Sequence, residues 1–249
     1  MPEGDTVWRT ANSLRDALVG QVLTTCDVRV PRYATVDLSG LKVDEVVSRG
    51  KHLLIRVGGY SIHTHLKMEG AWHIYRAGAR WRRPAHQARI VLATEEHVAV
   101  GFSLGITEVL DRSAEAAAVG HLGPDLLGPD WDADTAVRNL RAAGDQPIGV
   151  ALVDQRNLAG LGNVYRNEVC FLRGVDPYTP AREVTNLPAM VALAHRMIHA
   201  DKNNPIRHRP WVYGRAGKRC RRCRTVIRSR ELGQQDIFFC TYCQPPFDR

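Results

Sequence analysis

The chain has 249 residues, 44% of them hydrophobic and 24% charged, an ordinary globular balance with room for one large domain or two or three small ones. No apolar run approaches the roughly 20 residues of a membrane span. The acidic, polar start Met1-Pro2-Glu3-Gly4-Asp5 is not a secretory signal, so no membrane association is expected and the cytoplasm is the expected location. The net charge of +8 points to a polyanionic partner, most often nucleic acid.

In chain order, Asp5 or Thr6 can cap a helix reaching about Leu18, with Val7, Trp8, Ala11, Leu14 and Leu18 on one face. Alternation at Val22, Thr24, Cys26, Val28 and Val30 predicts a strand. Further strands are expected at His52–Val57, Ser61–Leu66, Arg89–Thr94, His97–Leu104 and Thr107–Asp111. This spacing is that of a sandwich or barrel, not of alternating βαβ units. From about residue 120 the pattern turns helical, at Asp132–Ala143, Ile148–Asp154, Asn163–Leu172 and Leu187–Ala200, after a linker marked by Gly123, Pro124, Gly128 and Pro129. Pro147 suits the first turn of its helix. From about Trp211 the chain is a small, basic, cysteine-bearing module.

Cys220-x2-Cys223-x16-Cys240-x2-Cys243 has the spacing of a four-thiolate zinc site. Four protein ligands leave no open position, so the Zn2+ is structural, and in so short a module it supplies much of the local folding energy. A redox dithiol would need only one of the two pairs. Cys26 and Cys170 sit singly in apolar stretches as small buried hydrophobes. Between Lys202 and Arg230 lie eleven Lys or Arg and no acid. Read as charge alone this is a solvated tail; on a metal-ordered hairpin it is a phosphate-docking surface.

Gly160-Leu161-Gly162-Asn163 joins two predicted helices. The glycines allow a sharp turn and the close approach of a strand backbone. The helix that follows offers free N–H groups to a phosphate, with the Asn163 amide beside them. The same tetrapeptide also fits a plain helix–helix turn. At the N-terminus, removal of Met1 would leave Pro2 as a free secondary amine. An α-amino group titrates near about pH 8, and the positive end of the following helix lowers it further. Such an amine can attack a sugar C1′ and form an iminium, and Glu3 beside it can shuttle protons. With Met1 retained, the Pro2 nitrogen is an amide and cannot attack.

Five motifs in order carry a resemblance. They are M-P-E-G-D at the start, S-R-G-K-H at Ser48–His52 and H-L-K-M-E-G at His65–Gly70. L-x-D-Q-x-x-L-A-G-L-G-N-V-Y-x-N-E follows from Leu152 to Glu168, and V-Y-G-R-A-G-K-R-C at Val212–Cys220 leads into the cysteine cluster. Together the motifs, which span nearly the whole chain, resemble the formamidopyrimidine-DNA glycosylase / endonuclease VIII family, and within it the actinobacterial endonuclease VIII-like branch. The resemblance implies an α+β multidomain fold: an N-terminal β-sandwich over 2–118, a helix–two-turn–helix domain over 119–210 and a zinc finger over 211–249. It implies a bifunctional DNA glycosylase and abasic-site lyase of base excision repair, acting as a monomer on flipped-out damaged bases and nucleoid-associated while doing so. Pro2 matches the nucleophile, Glu3 the proton-transfer acid and Lys51 a lysine needed for catalysis at the lesion phosphates. Asn163 matches a phosphate contact and Met68 a side chain that fills the gap left by the flipped base. Lys67, His86 and Gln235 fall at positions that face DNA.

Two departures qualify this. Relatives carry an Arg where this chain has Gln235, and a neutral Gln cannot replace a guanidinium. Strand cleavage then stops after the first elimination, activity is low, or Arg228 or Arg230 substitutes. At Phe102-Ser103-Leu104-Gly105 the Arg-Arg-Phe-Gly of the 8-oxoguanine branch is missing, which disfavours reading of the opposite base. Oxidised pyrimidines, in duplex, bubble or single-stranded DNA, are therefore the expected substrates. The alternatives are a catalytically weak relative that binds damaged or single-stranded DNA, and an unrelated zinc-ribbon nucleic-acid-binding module.

Overall fold

The computed structural model describes residues 2–204 and 209–247; the state of Met1, on which the Pro2 amine depends, lies outside them. The chain divides into two compact units. Pro2 and Thr6–His121 form the first; Glu3–Asp5 and the chain from Leu122 onward form the second.

The first unit opens with α1 (Gly4–Leu18). Asp5 therefore lies in the first helical turn, where its charge suits the dipole, and not at the cap. Val7, Ala11, Leu14 and Leu18 are buried and Trp8 is half-buried, so the expected apolar face is the one that packs. Eight strands follow: β1 (Thr25–Val28), β2 (Val43–Arg49), β3 (His52–Val57), β4 (Tyr60–His65), β5 (Ala71–Arg76), β6 (Ala88–Ala93), β7 (His97–Phe102) and β8 (Ile106–Asp111). A short helix, α2 (Glu115–Val119), ends the unit.

The strands form two four-stranded antiparallel sheets, β2-β3-β4-β8 and β1-β6-β7-β5. One core joins α1 to both: Leu14 and Leu18 with Val46, Ile55 and Ile62 of the first sheet and Cys26, Ile90 and Leu92 of the second. This is the expected β-sandwich. A smaller cluster, Tyr75, Val91, Val100 and Phe102, has Trp81 packed against it.

The first predicted strand is shorter than its alternation suggested. Val22 makes only an isolated bridge to Lys42 and is 51% exposed, so it gains no core contact. Two strands escaped the pattern reading. In β2 the register shifts between Val43 and Glu45, and the bulge breaks the period of two. β5 ends its sheet, and its residues are mostly half-buried, so no clean apolar alternation marks it.

In the second unit, α3 (Ala133–Ala142) is capped by Asp132, whose carboxylate accepts from Asp134 and Thr135 N–H. Then come α4 (Ile148–Ala151), α5 (Asn163–Arg173) and α6 (Leu187–Asp201). Pro147 takes the cap position of α4, one residue before its first turn. α5 ends at Gly174 with φ 68°, a left-handed cap that favours glycine. Leu140, Ile148, Leu161, Tyr165, Val169, Met190 and Val191 build this unit's core. A hairpin, β9 (Arg228–Leu232) and β10 (Gln235–Phe239), carries the cysteine module. No helix among the described residues is long and apolar enough to cross a membrane.

Candidate active site and nucleic-acid interface

The glycine-rich turn seats the chain's own third residue. Glu3 is fully buried, and its Oε1 accepts from the Val164 N–H at 2.8 Å, in the first turn of α5, so its charge sits at the positive end of that helix. The Gly4 N–H donates to the Gly160 carbonyl at 2.9 Å. A Cβ on Gly162 would lie 2.5 Å from the Glu3 carboxyl carbon, and one on Gly4 3.0 Å from the Gly160 Cα. The close approach that these glycines permit is thus that of Glu3 and Gly4. Gln155 braces the turn: its Oε1 accepts from the Gly160 N–H at 2.9 Å, and its Nε2 donates to the Leu161 carbonyl at 2.9 Å. Sequence reasoning quoted Gln155 without a role; its place five residues before a glycine turn was the available signal.

Asn163 is buried, with its amide committed inside the protein. Its Nδ2 donates to the Asp236 carbonyl at 3.1 Å, and its Oδ1 accepts from Asn167 at 2.8 Å and from the Arg166 guanidinium. The Asn167 Oδ1 also accepts from the Phe238 N–H. Glu168 is a further residue whose role was missed: its carboxylate accepts three backbone N–H groups, from Trp211 (2.7 Å), Val212 (3.0 Å) and Tyr213 (2.9 Å). α5 therefore holds both the chain leading to the first cysteine pair and β10, the strand leading to the second. Gln235, half-buried, opens β10 after the turn at Gly233 and Gln234. Arg228 and Arg230 are exposed on β9.

The sulfurs of Cys220, Cys223, Cys240 and Cys243 all lie within 4.8 Å of one another. Tetrahedral zinc at about 2.3 Å from each sulfur needs separations near about 3.8 Å; the Cys223–Cys240 pair is at 3.4 Å and the Cys220–Cys243 pair at 4.0 Å. The donor set thus fits a metal ion of this kind. Hydrogen bonding with Thr225 lowers the Cys223 thiol, while burial raises those of Cys240 and Cys243; a bound cation would hold the sulfurs as thiolates.

In the first unit, Gly50 (φ 58°) and Lys51 form the two-residue turn between β2 and β3, closed by the Arg49–His52 pair. His52, His63 and His65 share one face beside it. His52 Nδ1 lies 2.8 Å from His63 Nε2, and His63 Nδ1 lies 2.9 Å from Glu108 Oε2. The His65 ring meets His52 edge-on at 4.9 Å, and its Nδ1 accepts from the Lys67 N–H at 2.9 Å. Burial first, then neighbouring positive groups, push His52 down to about 3 and His65 to about 4. For His65 those groups are Lys67, Lys51 and His63. Both rings are therefore neutral at pH 7. Lys67 has φ 53°, and its stem packs where a side chain on Gly105 would lie, 2.1 Å from its Cγ. Met68 is 67% exposed. His86 is exposed in a short turn between β5 and β6, and Pro2 is half-buried.

A β-sandwich, a helical unit whose glycine turn receives the carboxylate of Glu3, and a four-cysteine hairpin define a base-excision enzyme of the helix–two-turn–helix class. The comparisons with known proteins agree. Residues 1–103 match the formamidopyrimidine-DNA glycosylase N-terminal domain, and residues 122–200 match the formamidopyrimidine-DNA glycosylase H2TH domain. The chain is 51% identical to the DNA-(apurinic or apyrimidinic site) lyase Nei2 of Mycolicibacterium smegmatis over 98% of this chain and 99% of that one. It is 49% identical to the probable endonuclease 8 2 of Streptomyces coelicolor, over 98% and 94%. Among solved structures it resembles MutM in complex with DNA containing carbocyclic 8-oxo-G, with a TM-score of 0.84, 20% identity, and 98% and 100% coverage. Lactococcus lactis Fpg bound to abasic-site DNA is similar at TM-score 0.83 and 20% identity, covering 98% of this chain and 100% of that one. The chain belongs to the formamidopyrimidine-DNA glycosylase family, an enzyme family of DNA glycosylases and abasic-site lyases.

Proposed function

We propose that this protein excises oxidised bases, preferably pyrimidines, from DNA and cleaves the strand through a Schiff base on Pro2. The observation that carries the reading is the Glu3 carboxylate, held on the Val164 N–H and joined by one peptide bond to Pro2. The Pro2 amine forms a bond to C1′ as the bond from C1′ to the base breaks, and the base leaves with a proton relayed through Glu3. The C1′–O4′ bond then breaks as O4′ takes up a proton, which leaves the iminium, and loss of a C2′ proton from that iminium expels the 3′ phosphate. Lys51, at the tip of its two-residue turn, holds lesion phosphates. Lys67, Met68, His86 and Gln235 meet DNA, while Asn163, its amide spent on the Asp236 carbonyl, positions β10 against α5, and the exposed thioether of Met68 suits a void filler. The domain division is 2–118, 119–210 and 211–249. The four cysteines hold structural Zn2+, which supplies a fixed fold for the hairpin. The protein acts as a monomer in the cytoplasm, on duplex, bubble or single-stranded DNA. Without a guanidinium at Gln235, cleavage stops at the first elimination.

Gln235 also favours a second reading, a weak enzyme that mainly binds damaged DNA. Oligonucleotides carrying 5-hydroxyuracil, thymine glycol, an abasic site or 8-oxoguanine, single- and double-stranded, are incubated with protein and borohydride, which reduces an iminium to a permanent link. Trapping on the pyrimidine lesions is expected. It should weaken in Pro2→Gly, which keeps a primary amine, and vanish in protein retaining Met1. No trapping by protein shown by mass to lack Met1 would overturn the enzyme reading in favour of the second.

A further inference from the structure

The loop between β5 and β6 carries charge for which the proposed chemistry has no use. From Gly70 to Thr94 the sequence holds five arginines and no acid. Arg80, Arg82 and Arg83 fall on this loop with Trp81, and Arg80 and Arg82 are exposed. Among the described residues no carboxylate lies within ion-pair distance of any of the three. Clustered, unneutralised like charges are unfavourable in the absence of an anion.

This loop is also held in place, unlike a solvated charge run. The Arg82 N–H donates to the Tyr75 hydroxyl at 3.1 Å. Arg29 donates to the Ala85 carbonyl at 3.2 Å and stands over the Trp81 ring, 5.5 Å from its centre. Trp81 packs edge-on against Phe102 at 5.8 Å. Arg83 donates to the Glu69 carbonyl at 3.1 Å, tying the loop to the segment that carries Met68. Residues Arg80–Ala85, the indole among them, line a concavity of about 570 Å³.

We propose that this loop is a DNA subsite for an unpaired nucleotide, with its flanking phosphates on Arg80 and Arg82 and its base against Trp81. Charge with an interleaved aromatic ring is the chemistry that holds single strands, since every base has a stacking face. A paired base keeps its faces inside the duplex and gives Trp81 nothing to stack on. The inference rests on the glycosylase reading and deepens it, since it names unpaired DNA next to the lesion as the substrate context.

The test is fluorescence anisotropy of the full-length protein with single-stranded and duplex oligonucleotides of one sequence, across a salt series. Each lost phosphate contact lowers the slope of log affinity against log salt by about 0.7 for single strands. Arg80→Ala/Arg82→Ala, at two exposed positions, should lower the single-strand slope by about 1.4 and change the duplex slope less. Arg80→Lys/Arg82→Lys should keep the slope. Arg182→Ala, at an arginine paired with Asp145 and Glu183, should leave it unchanged and so controls for charge alone. An unchanged slope in the alanine pair, or an equal fall on duplex, overturns this inference while leaving wild-type trapping intact. Wild-type protein that neither binds nor traps overturns the glycosylase reading and this inference together.

Discussion

Gly162→Ala isolates the seat of Glu3 from every other property of the turn. Gly162 has φ −128°, extended backbone that alanine adopts freely, so no backbone strain enters. The added Cβ would lie 2.5 Å from the Glu3 Cδ and 2.6 Å from its Oε1. Carbon atoms rest at about 3.5–4.0 Å, so the carboxylate must retreat by about 1 Å. Retreat breaks the 2.8 Å bond from the Val164 N–H, and a hydrogen bond to a charged group is worth about 1.5–3 kcal/mol. At about 2–4 °C per kcal/mol for a chain of this size, the melting temperature should fall by about 3–12 °C. A catalytic group misplaced by about 1 Å loses about 10²-fold in rate, inside the range of about 10²–10⁴ that general acid–base catalysis supplies.

The assay is single-turnover excision of 5-hydroxyuracil alongside strand cleavage at a preformed abasic site. The excision rate constant should fall about 10²-fold, and cleavage at the abasic site less, because no base has to leave. Glu3→Gln should abolish excision, and adding Gly162→Ala to it should cost nothing more, since both changes act through one carboxylate. Excision by Gly162→Ala within about three-fold of wild type, at an unchanged melting temperature, would refute the reasoning.

Chelation of the metal should melt the hairpin around Cys220 and Cys240 and expose it to protease, while the far-UV signal of the sandwich persists, because binding energies of about 10–16 kcal/mol stabilise such modules. Glu168→Gln leaves one uncharged acceptor oxygen for three N–H donors; it should cost about 2–4 kcal/mol and speed metal loss to a chelator. His52 and His65 are held neutral, at about 3 and about 4, so the unfolded chain binds more protons than the fold. Their contribution is complete above about pH 6.5 and is lost as pH falls toward about 3. At pH 5 each ring gives up about 2 kcal/mol before screening and about 1 kcal/mol after, since both are only half-buried. His52→Gln/His65→Gln should flatten the fall in melting temperature between pH 7 and pH 5, and an unchanged slope would contradict the assignment.

What the sequence made legible follows from which interactions are local. The helix opening at Asp132, the apolar face of α1, the strands β3 and β6–β8 and the four-cysteine spacing are all written within a few turns or a few residues, and each was read nearly to its observed bounds. The strands that were missed carry no clean local pattern. β2, although its partner β3 follows after a two-residue turn, loses its period of two at a bulge, and β5 ends a sheet whose neighbour, β7, lies about 25 residues on. The site divides along the same line. Gly160 and Gly162 read locally as a tight turn open to an approaching backbone. The group that approaches comes from residues 3 and 4, about 160 positions away, and no local pattern encodes that pairing. The same holds for Asn163: its motif position marks it as important, but only the fold shows its amide spent on the Asp236 carbonyl. A motif thus tells which residues must be kept together. Whether each one touches substrate or holds the residue that does is decided by contacts between segments the motif does not span.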